Sequence, residues 1–133
     1  MKRRNFIKTL LGLPWLIPSN QGLSQPNPKN DIRDILIQTS PVAGFQYYQG
    51  ELFWKKLSVG DQLQLSREPD NPYDENAVAI YREGIKLGYL PRVENIVVAR
   101  MMDKGQRINA LIQNKQKSDD PWERMTVEVW LRI

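Results

Sequence analysis

The sequence predicts an all-β domain, a small β-barrel of six strands with one or two short helices. Six short apolar segments recur along the last 95 or so residues, turn-forming residues separate them, and a single segment has helical periodicity. Closing so small a sheet into a barrel removes its exposed edges, which favours a barrel over an open sheet. The predicted strands lie within residues 32–44, 62–67, 77–81, 85–90, 107–113 and 125–133.

The last strand and one hairpin have the clearest patterns. From Met125 to Ile133, apolar and mostly polar residues alternate with a period of two, as expected for a strand with one buried face. Residues 77–81 and 85–90 are separated by Arg-Glu-Gly and therefore predict a hairpin. Residues 68–76 contain two prolines, two asparagines and two aspartates, a composition that predicts an irregular loop.

Helical structure is predicted in two places. Pro91 is suited to the start of a helix, and Gly105 to the position after its end. Residues 51–57 predict a short helical turn whose Leu52, Phe53 and Leu57 face the core. One face of the predicted helix should pack on the core rather than on a partner. This face contains Val93, Ile96, Val97, Arg100 and Met101.

Composition excludes several kinds of chemistry. The 133 residues include no cysteine and no histidine. Disulfides and cysteine metal sites are therefore absent, and a zinc site would need carboxylates alone. The sequence has no Gly-rich phosphate loop ending in Gly-Lys-Ser/Thr. We predict no catalytic residues, no metal and no cofactor, and the carboxylate pair Asp74 and Glu75 stays open as an alternative.

The positive charge is confined to the N-terminus. The whole chain has a formal net charge of +4, but four of its 19 basic residues and none of its 15 acidic residues lie within residues 1–24. The remainder is neutral and lacks the basic surface that drives non-specific nucleic-acid binding. If this part of the chain binds nucleic acid, it should contact few phosphates.

Residues 1–24 have the order of an export signal. A basic start is followed by a short apolar stretch and then by small residues, with cleavage expected after Ser24. Arg3 and Arg4, followed by Phe6 and Lys8, resemble the twin-arginine signal of bacteria. The expected location is the periplasm or another exported site, with no stable membrane span after cleavage. An uncleaved leader that tethers the protein to the membrane, a disordered basic leader and a wrongly assigned start codon are the alternatives.

Residues 25–37 are predicted to form a linker and the start of the first strand, and residues 38–133 the domain itself. Three motifs in this domain resemble those of the HIRAN family. Residues 42–50 read VAGFQYYQG, residues 65–80 read LSREPDNPYDENAVAI, and residues 86–92 read KLGYLPR. Their order and spacing match the family over about 95 residues.

The resemblance implies an OB-like barrel that captures a single-stranded DNA 3′ end or a nucleotide. Family descriptions also mention acid-anhydride hydrolysis with zinc, which is the less favoured implication here. Gln46 stands where DNA-binding relatives carry an arginine, which removes a cationic phosphate contact. The family's binding positions fall on Tyr47, Tyr48, Asn71, Asp74, Tyr89 and Arg92.

The chemistry of these residue types suits that function. A tyrosine ring can stack on any base, and a carboxylate such as Asp74 favours a terminal hydroxyl over an internal phosphate. Asn71 offers both a donor and an acceptor to a base edge. The structural alternatives are that the tyrosine pair is half core and half surface, and that Asp74 or Asn76 caps the loop.

Two functions of different classes follow. The first is a non-catalytic module that binds nucleic acid. The second is an exported module that binds a protein or a component of the cell envelope through the same barrel.

Overall fold

The computed structural model describes residues 34–133, and the predicted leader and most of the predicted linker lie outside these residues. Within the described part, six strands, one α-helix and four short 3-10 turns form the fold. The strands are β1 (Ile35–Pro41), β2 (Gln62–Glu68), β3 (Ala77–Arg82), β4 (Ile85–Tyr89), β5 (Arg107–Lys115) and β6 (Met125–Arg132), and the helix α1 is Ile96–Asp103.

The strands form one antiparallel sheet in the order β1-β6-β5-β2-β3-β4. The chain leaving β1 returns to the far edge of this sheet, where Ala43 and Tyr89 exchange two backbone hydrogen bonds of 2.8 and 3.0 Å. This contact joins the first strand segment to the last strand in the order and closes the sheet. The predicted all-β fold with its six-stranded barrel is confirmed.

The closure depends on Gly88. Its φ is +149°, and a Cβ atom at this position would lie 2.4 Å from the carbonyl oxygen of Ala43. No side chain fits at that distance, so a glycine is required where the two segments meet.

The core lies inside the barrel and under α1. Met125, Val127 and Val129 of β6 are fully buried, as the alternation along that strand predicts. The β3–β4 hairpin has a two-residue turn, Glu83 and Gly84, and both have positive φ, as such turns require. Other core residues come from every strand except β1, from α1 and from the connecting segments: Val42, Phe45, Leu57, Leu63, Val78, Ile80, Leu87, Leu90, Val98, Ala99, Ala110 and Ile112.

The predicted buried face of the helix is wrong. Val93 is 91% exposed and Val97 is 50% exposed, whereas Val98 and Ala99 are fully buried. Within α1, the side that packs on the core is that of Val98, Ala99 and Met102, and not the predicted one. In addition, the helix does not start at Pro91. Residues 92–94 form a 3-10 turn and α1 begins at Ile96, so Val93 is not in phase with the helix.

The predicted turn at residues 51–57 is confirmed in part. A 3-10 turn forms at Trp54–Lys56 and Leu57 is buried, but Leu52 is 83% exposed and does not face the core. The segment is too short for a regular helical face to develop. No helix formed by residues 34–133 is long and apolar enough to span a membrane.

Candidate functional site

A groove of about 490 Å³ opens beside the barrel closure, and we call it the tyrosine groove. Its walls are the segment after β1, the loop between β2 and β3, and the end of β4. Three separate stretches of sequence therefore meet at one surface. All six residues predicted from the sequence line it: Tyr47, Tyr48, Asn71, Asp74, Tyr89 and Arg92.

The tyrosine pair is presented by a 3-10 turn, Phe45–Tyr47. Phe45 is fully buried and anchors this turn in the core, with its ring against Gly50. Tyr47 is 78% exposed, so its ring is available for stacking. Tyr48 is half-buried and lies edge-on to Tyr89, with 5.9 Å between ring centroids and an interplanar angle of 62°. The two neighbouring tyrosines thus differ, one facing solvent and one forming part of the groove wall.

Asn71 and Asp74 shape the loop that carries them. Asn71 Oδ1 accepts a hydrogen bond from the backbone N–H of Tyr73 at 2.9 Å. Asp74 Oδ1 accepts from the N–H of Asn76 at 2.9 Å, and its Oδ2 accepts from Nδ2 of the buried Asn95 at 2.7 Å. The loop-capping alternative is therefore present for Asp74. Each carboxylate oxygen has two lone pairs, so each keeps acceptor capacity toward a ligand.

A second anchor of the same loop is Arg67, which sequence analysis did not single out. Its guanidinium donates to the carbonyl oxygens of Ala77 at 2.7 Å and Glu75 at 3.1 Å. It also pairs with Asp103 at the end of α1, with Nε 2.9 Å from Oδ1. The hydrogen bonds from Arg67 hold the pKa of Asp103 below its usual range. The second half of the loop is therefore held from both ends of α1: Asn95, just before the helix, bonds to Asp74, and Asp103, at its end, pairs with Arg67.

Glu68 lines the groove and Lys86 contacts two of its lining tyrosines, and neither residue was predicted as a site residue. Lys86 Nζ is 4.7 Å from the ring centroid of Tyr48 and 4.4 Å from that of Tyr89. The Tyr89 hydroxyl accepts from Lys86 at 2.7 Å and donates to Glu68 Oε1 at 2.8 Å. The same Oε1 accepts from Asn71 Nδ2 at 3.0 Å. This network joins residues of all three motifs.

The network keeps its charged groups charged. Burial alone would raise the pKa of Glu68, but hydrogen bonds from Tyr89 and Asn71 and the nearby Lys86 outweigh it and lower that pKa. Burial would lower the pKa of Lys86, yet its contacts with Tyr89 and Glu68 raise it. Burial raises the pKa of the Tyr89 phenol, which therefore stays neutral. Lys86 and Glu68 therefore form an ion pair, and the neutral hydroxyl of Tyr89 is hydrogen-bonded to both.

A β-bulge brings Lys86 and Tyr89 to the same side. Between the pairs Ile80–Gly88 and Tyr81–Lys86 the register shifts, so β4 contains one extra residue, Leu87. Residues three apart on a regular strand face opposite sides, and one extra residue reverses that alternation. The sequence offers one indication that Lys86 belongs to the site, which is its position inside the third motif. Its contact with Tyr89 could not be predicted from sequence spacing, because the contact depends on the bulge.

The charges around the groove balance. Lys86 and Arg92 supply two cations, and Glu68 and Asp74 supply two carboxylates. Arg92 is exposed at the rim. Among residues 34–133, no group of three or more acidic, histidine or cysteine side chains is placed to hold a metal ion. The chemistry that this groove offers is stacking on aromatic rings, hydrogen bonding and a single free cation at the rim among its described residues.

The chain is thus a small closed β-barrel with a tyrosine-lined groove beside its closure, and concave sites of this kind on β-barrels commonly hold ligands. The family model of the HIRAN domain matches residues 36–133, and the chain belongs to the HIRAN family.

Two curated relatives are similar over part of the chain. Helicase-like transcription factor from Oryctolagus cuniculus and from Mus musculus are each 35% identical over 63 residues. That stretch is 47% of this chain and 6% of each relative, so the chain corresponds to a small part of these much longer proteins.

Solved structures share the fold. A crystal structure of a protein from Lactobacillus plantarum has a TM-score of 0.65 and 29% identity, over 74% of this chain and 94% of that chain. The crystal structure of the HIRAN domain of human HLTF has a TM-score of 0.58 and 22% identity, over 76% and 80% of the two chains. The NMR structure of the HLTF HIRAN domain in its DNA-bound conformation has a TM-score of 0.51 and 20% identity, over 80% and 85%.

Proposed function

We propose that the tyrosine groove binds nucleic acid, and that its ligand is the 3′ end of a single strand or a nucleotide. The observation that carries this proposal is the convergence on one groove of Tyr47, from the segment after β1, with Asn71 and Asp74, from the loop between β2 and β3. A structurally similar domain, that of human HLTF, has been solved in a DNA-bound conformation, which supports nucleic acid as the class of ligand.

The roles follow from exposure and charge. The exposed ring of Tyr47 is the stacking platform for a base, and stacking of this kind contributes about 1–3 kcal/mol per base. Arg92 at the rim is the cation best placed for a phosphate. The remaining lone pairs of Asp74 accept a hydrogen bond from a terminal hydroxyl and repel a phosphate in the same place.

The charge balance limits the affinity. For single strands, the logarithm of the binding constant falls with the logarithm of salt concentration by about 0.7 for each phosphate neutralised. With one unpaired cation at the groove among its described residues, we expect a slope of about −1 or shallower. Gln46, which is exposed beside the tyrosine pair, adds no charge to this surface.

Fluorescence anisotropy of the full-length chain with short single-stranded DNA tests the proposal. One oligonucleotide ends in a free 3′ hydroxyl and the other in a 3′ phosphate. We expect tighter binding to the hydroxyl, and an Asp74→Asn variant should narrow the difference because it removes the negative charge. Equal or absent binding of both oligonucleotides by the unmodified chain would reject end capture.

A second candidate is the binding of an exported protein or an envelope component. The observation that favours it is the apolar surface of Val93, Ile96 and Val97, which are 91%, 42% and 50% exposed beside the groove rim. A partner recovered with the full-length chain after nuclease treatment, and lost in a Val93→Asp and Val97→Asp variant, would support it. A partner that is recovered only when nucleic acid is intact would instead support the first function, nucleic-acid binding.

We also propose that the protein is exported by a cleaved twin-arginine-like signal. The basis is the order of basic, apolar and small residues within residues 1–24. Replacing Arg3 and Arg4 by lysines preserves charge and should leave the protein in the cytoplasm of a bacterial host. Export of this variant at the normal level would contradict the twin-arginine assignment.

A further inference from the structure

The cation that lies against the tyrosine rings of the groove is Lys86. Its side chain is 21% exposed, and its ammonium lies against the rings of Tyr48 and Tyr89. An ammonium held against an aromatic face and removed from water is attracted more strongly than at an exposed site. Lys86 therefore holds both rings in their observed places.

Lys86 also acts on the loop through Glu68. Its Nζ lies 3.4 Å from Glu68 Oε2, and the other oxygen of this carboxylate accepts from Asn71 Nδ2 at 3.0 Å. The orientation of the Asn71 amide thus depends on a carboxylate that Lys86 and Tyr89 hold. Asn71 Oδ1 accepts a hydrogen bond from the N–H of Tyr73, so the orientation of the Asn71 amide also determines the backbone position of the first half of the loop.

The other half of the loop has a different support. Asp74 is held by the buried Asn95, which has no contact with Lys86 among the hydrogen bonds of residues 34–133. The groove side chains therefore have two different supports, one for Tyr48, Tyr89 and Asn71 and the other for Asp74. The backbone N–H of Asp74 donates to the carbonyl oxygen of Asn71 at 3.3 Å and links the two halves of the loop.

We infer that Lys86 is a positioning residue for ligand binding, which arranges Tyr48, Tyr89 and Asn71 without contacting the ligand itself. The inference rests on the proposed function. Two of the three donors of the ammonium are directed at Tyr89 and Glu68, and its charge is balanced by Glu68. An ammonium so committed has little capacity left for a phosphate, in contrast to Arg92 at the rim.

The test compares Lys86→Met with Lys104→Met in the full-length chain. Both variants remove one positive charge, but Lys104 is exposed and its side chain has no hydrogen bond or ion pair within residues 34–133. We expect Lys86→Met to bind single-stranded DNA about tenfold more weakly, since its cation–π contacts and network are lost. Lys104→Met should bind within twofold of the unmodified chain.

The salt dependence separates positioning from direct contact. We expect the salt slope of Lys86→Met to equal that of the unmodified chain. A slope reduced by about 0.7 would show that Lys86 neutralises a phosphate and would overturn the inference. An Arg92→Gln variant, which removes the rim cation, is the positive control for such a reduction.

A measurement without ligand keeps the inference testable if the proposed function fails. In NMR spectra, the side-chain amide signals of Asn71 should shift in Lys86→Met, whereas those of Asn95 should not. Movement of both would indicate general disruption of the fold, and movement of neither would show that Lys86 does not arrange the loop; either result overturns the inference. If the unmodified chain binds no oligonucleotide, the proposed function fails, and these amide signals still decide whether Lys86 organises the groove.

Discussion

Beside each of two grooves on the barrel, a lysine lies against aromatic side chains, but one lysine binds side chains and the other binds backbone carbonyl groups. In the tyrosine groove, the partners of Lys86 are the side chains of Tyr89 and Glu68. A second groove of about 340 Å³, which we call the tryptophan groove, is lined by Trp54, and Lys115 lies 4.8 Å from the ring centroid of that residue. Its ammonium donates to the backbone carbonyl oxygens of Trp54 and Leu57, each at 2.5 Å.

The difference separates a contact that supports the fold from one that supports the proposed binding surface. Lys115 ties β5 to the turn before β2, and Arg124 ties the same region together by pairing with Glu51 and donating to the carbonyl oxygen of Ser118. The bonds to the carbonyl oxygens of Trp54, Leu57 and Ser118 satisfy partly buried backbone groups, which would be costly to leave unpaired. The network of Lys86 instead arranges side chains that remain partly exposed. The same ammonium–aromatic contact thus stabilises backbone in one place and orients potential ligand contacts in the other.

The largest expected effect concerns the closure that builds one wall of the tyrosine groove. Gly88→Ala should lower the free energy of unfolding by about 2–4 kcal/mol, since its Cβ would collide with the carbonyl of Ala43. Chemical denaturation measures the change. Gly84→Ala is the matched control, because Gly84 also has positive φ but no atom within 4 Å of the added Cβ. An equal loss in both variants would assign the effect to backbone conformation rather than to the closure.

Removing the exposed ring should affect binding alone. Tyr47→Ala should weaken binding of single-stranded DNA by about 1–3 kcal/mol, or roughly 5- to 150-fold, with an unchanged unfolding free energy. Anisotropy titrations and denaturation measure the two quantities. Leu52→Ala removes a similarly exposed side chain outside the tyrosine groove and should leave binding intact. Binding that survives loss of the Tyr47 ring would contradict its role as a stacking platform.

Replacing Lys115 should lower the stability of the fold and leave binding unchanged, the reverse of the effect expected for Tyr47→Ala. Lys115→Met leaves two carbonyl oxygens without their donor and should lower the free energy of unfolding by about 1–2 kcal/mol. Affinity for single-stranded DNA should stay within twofold of the unmodified chain. A loss of affinity as large as that expected for Lys86→Met, at full stability, would break the distinction between the two grooves.

The smallest expected effect is a pH dependence from Glu68. Its folded-state pKa lies below the ordinary value of 4.5, so its stabilising contribution is present above that pH. The contribution is lost as the pH falls from about 4.5 through the lower folded-state pKa. We expect less than about 1 kcal/mol, since the side chain is partly exposed. Denaturation of the unmodified chain and of Glu68→Gln between pH 3 and 7 measures it, and identical pH profiles would show that the carboxylate is not stabilised in the fold.

Local sequence patterns determined most of the strands and selected residues that the fold brings to one groove. The alternation in β6 is visible because one strand face meets the core and the other does not, and the burial of Met125, Val127 and Val129 follows it. The three motifs assigned six residues to one site, and all six line the tyrosine groove. Such signals are local, and each is contained in a short stretch of sequence.

Only the tertiary structure decided which faces and partners these residues have. The predicted apolar stripe of the helix is largely exposed because α1 packs on the barrel through a different side, that of Val98, Ala99 and Met102. Lys86 meets Tyr89 because Leu87 forms a bulge where β4 pairs with β3. Asp74 is anchored by Asn95, 21 residues away. Register, bulges and long-range hydrogen bonds arise from pairing between distant segments, and no periodicity within one segment contains them.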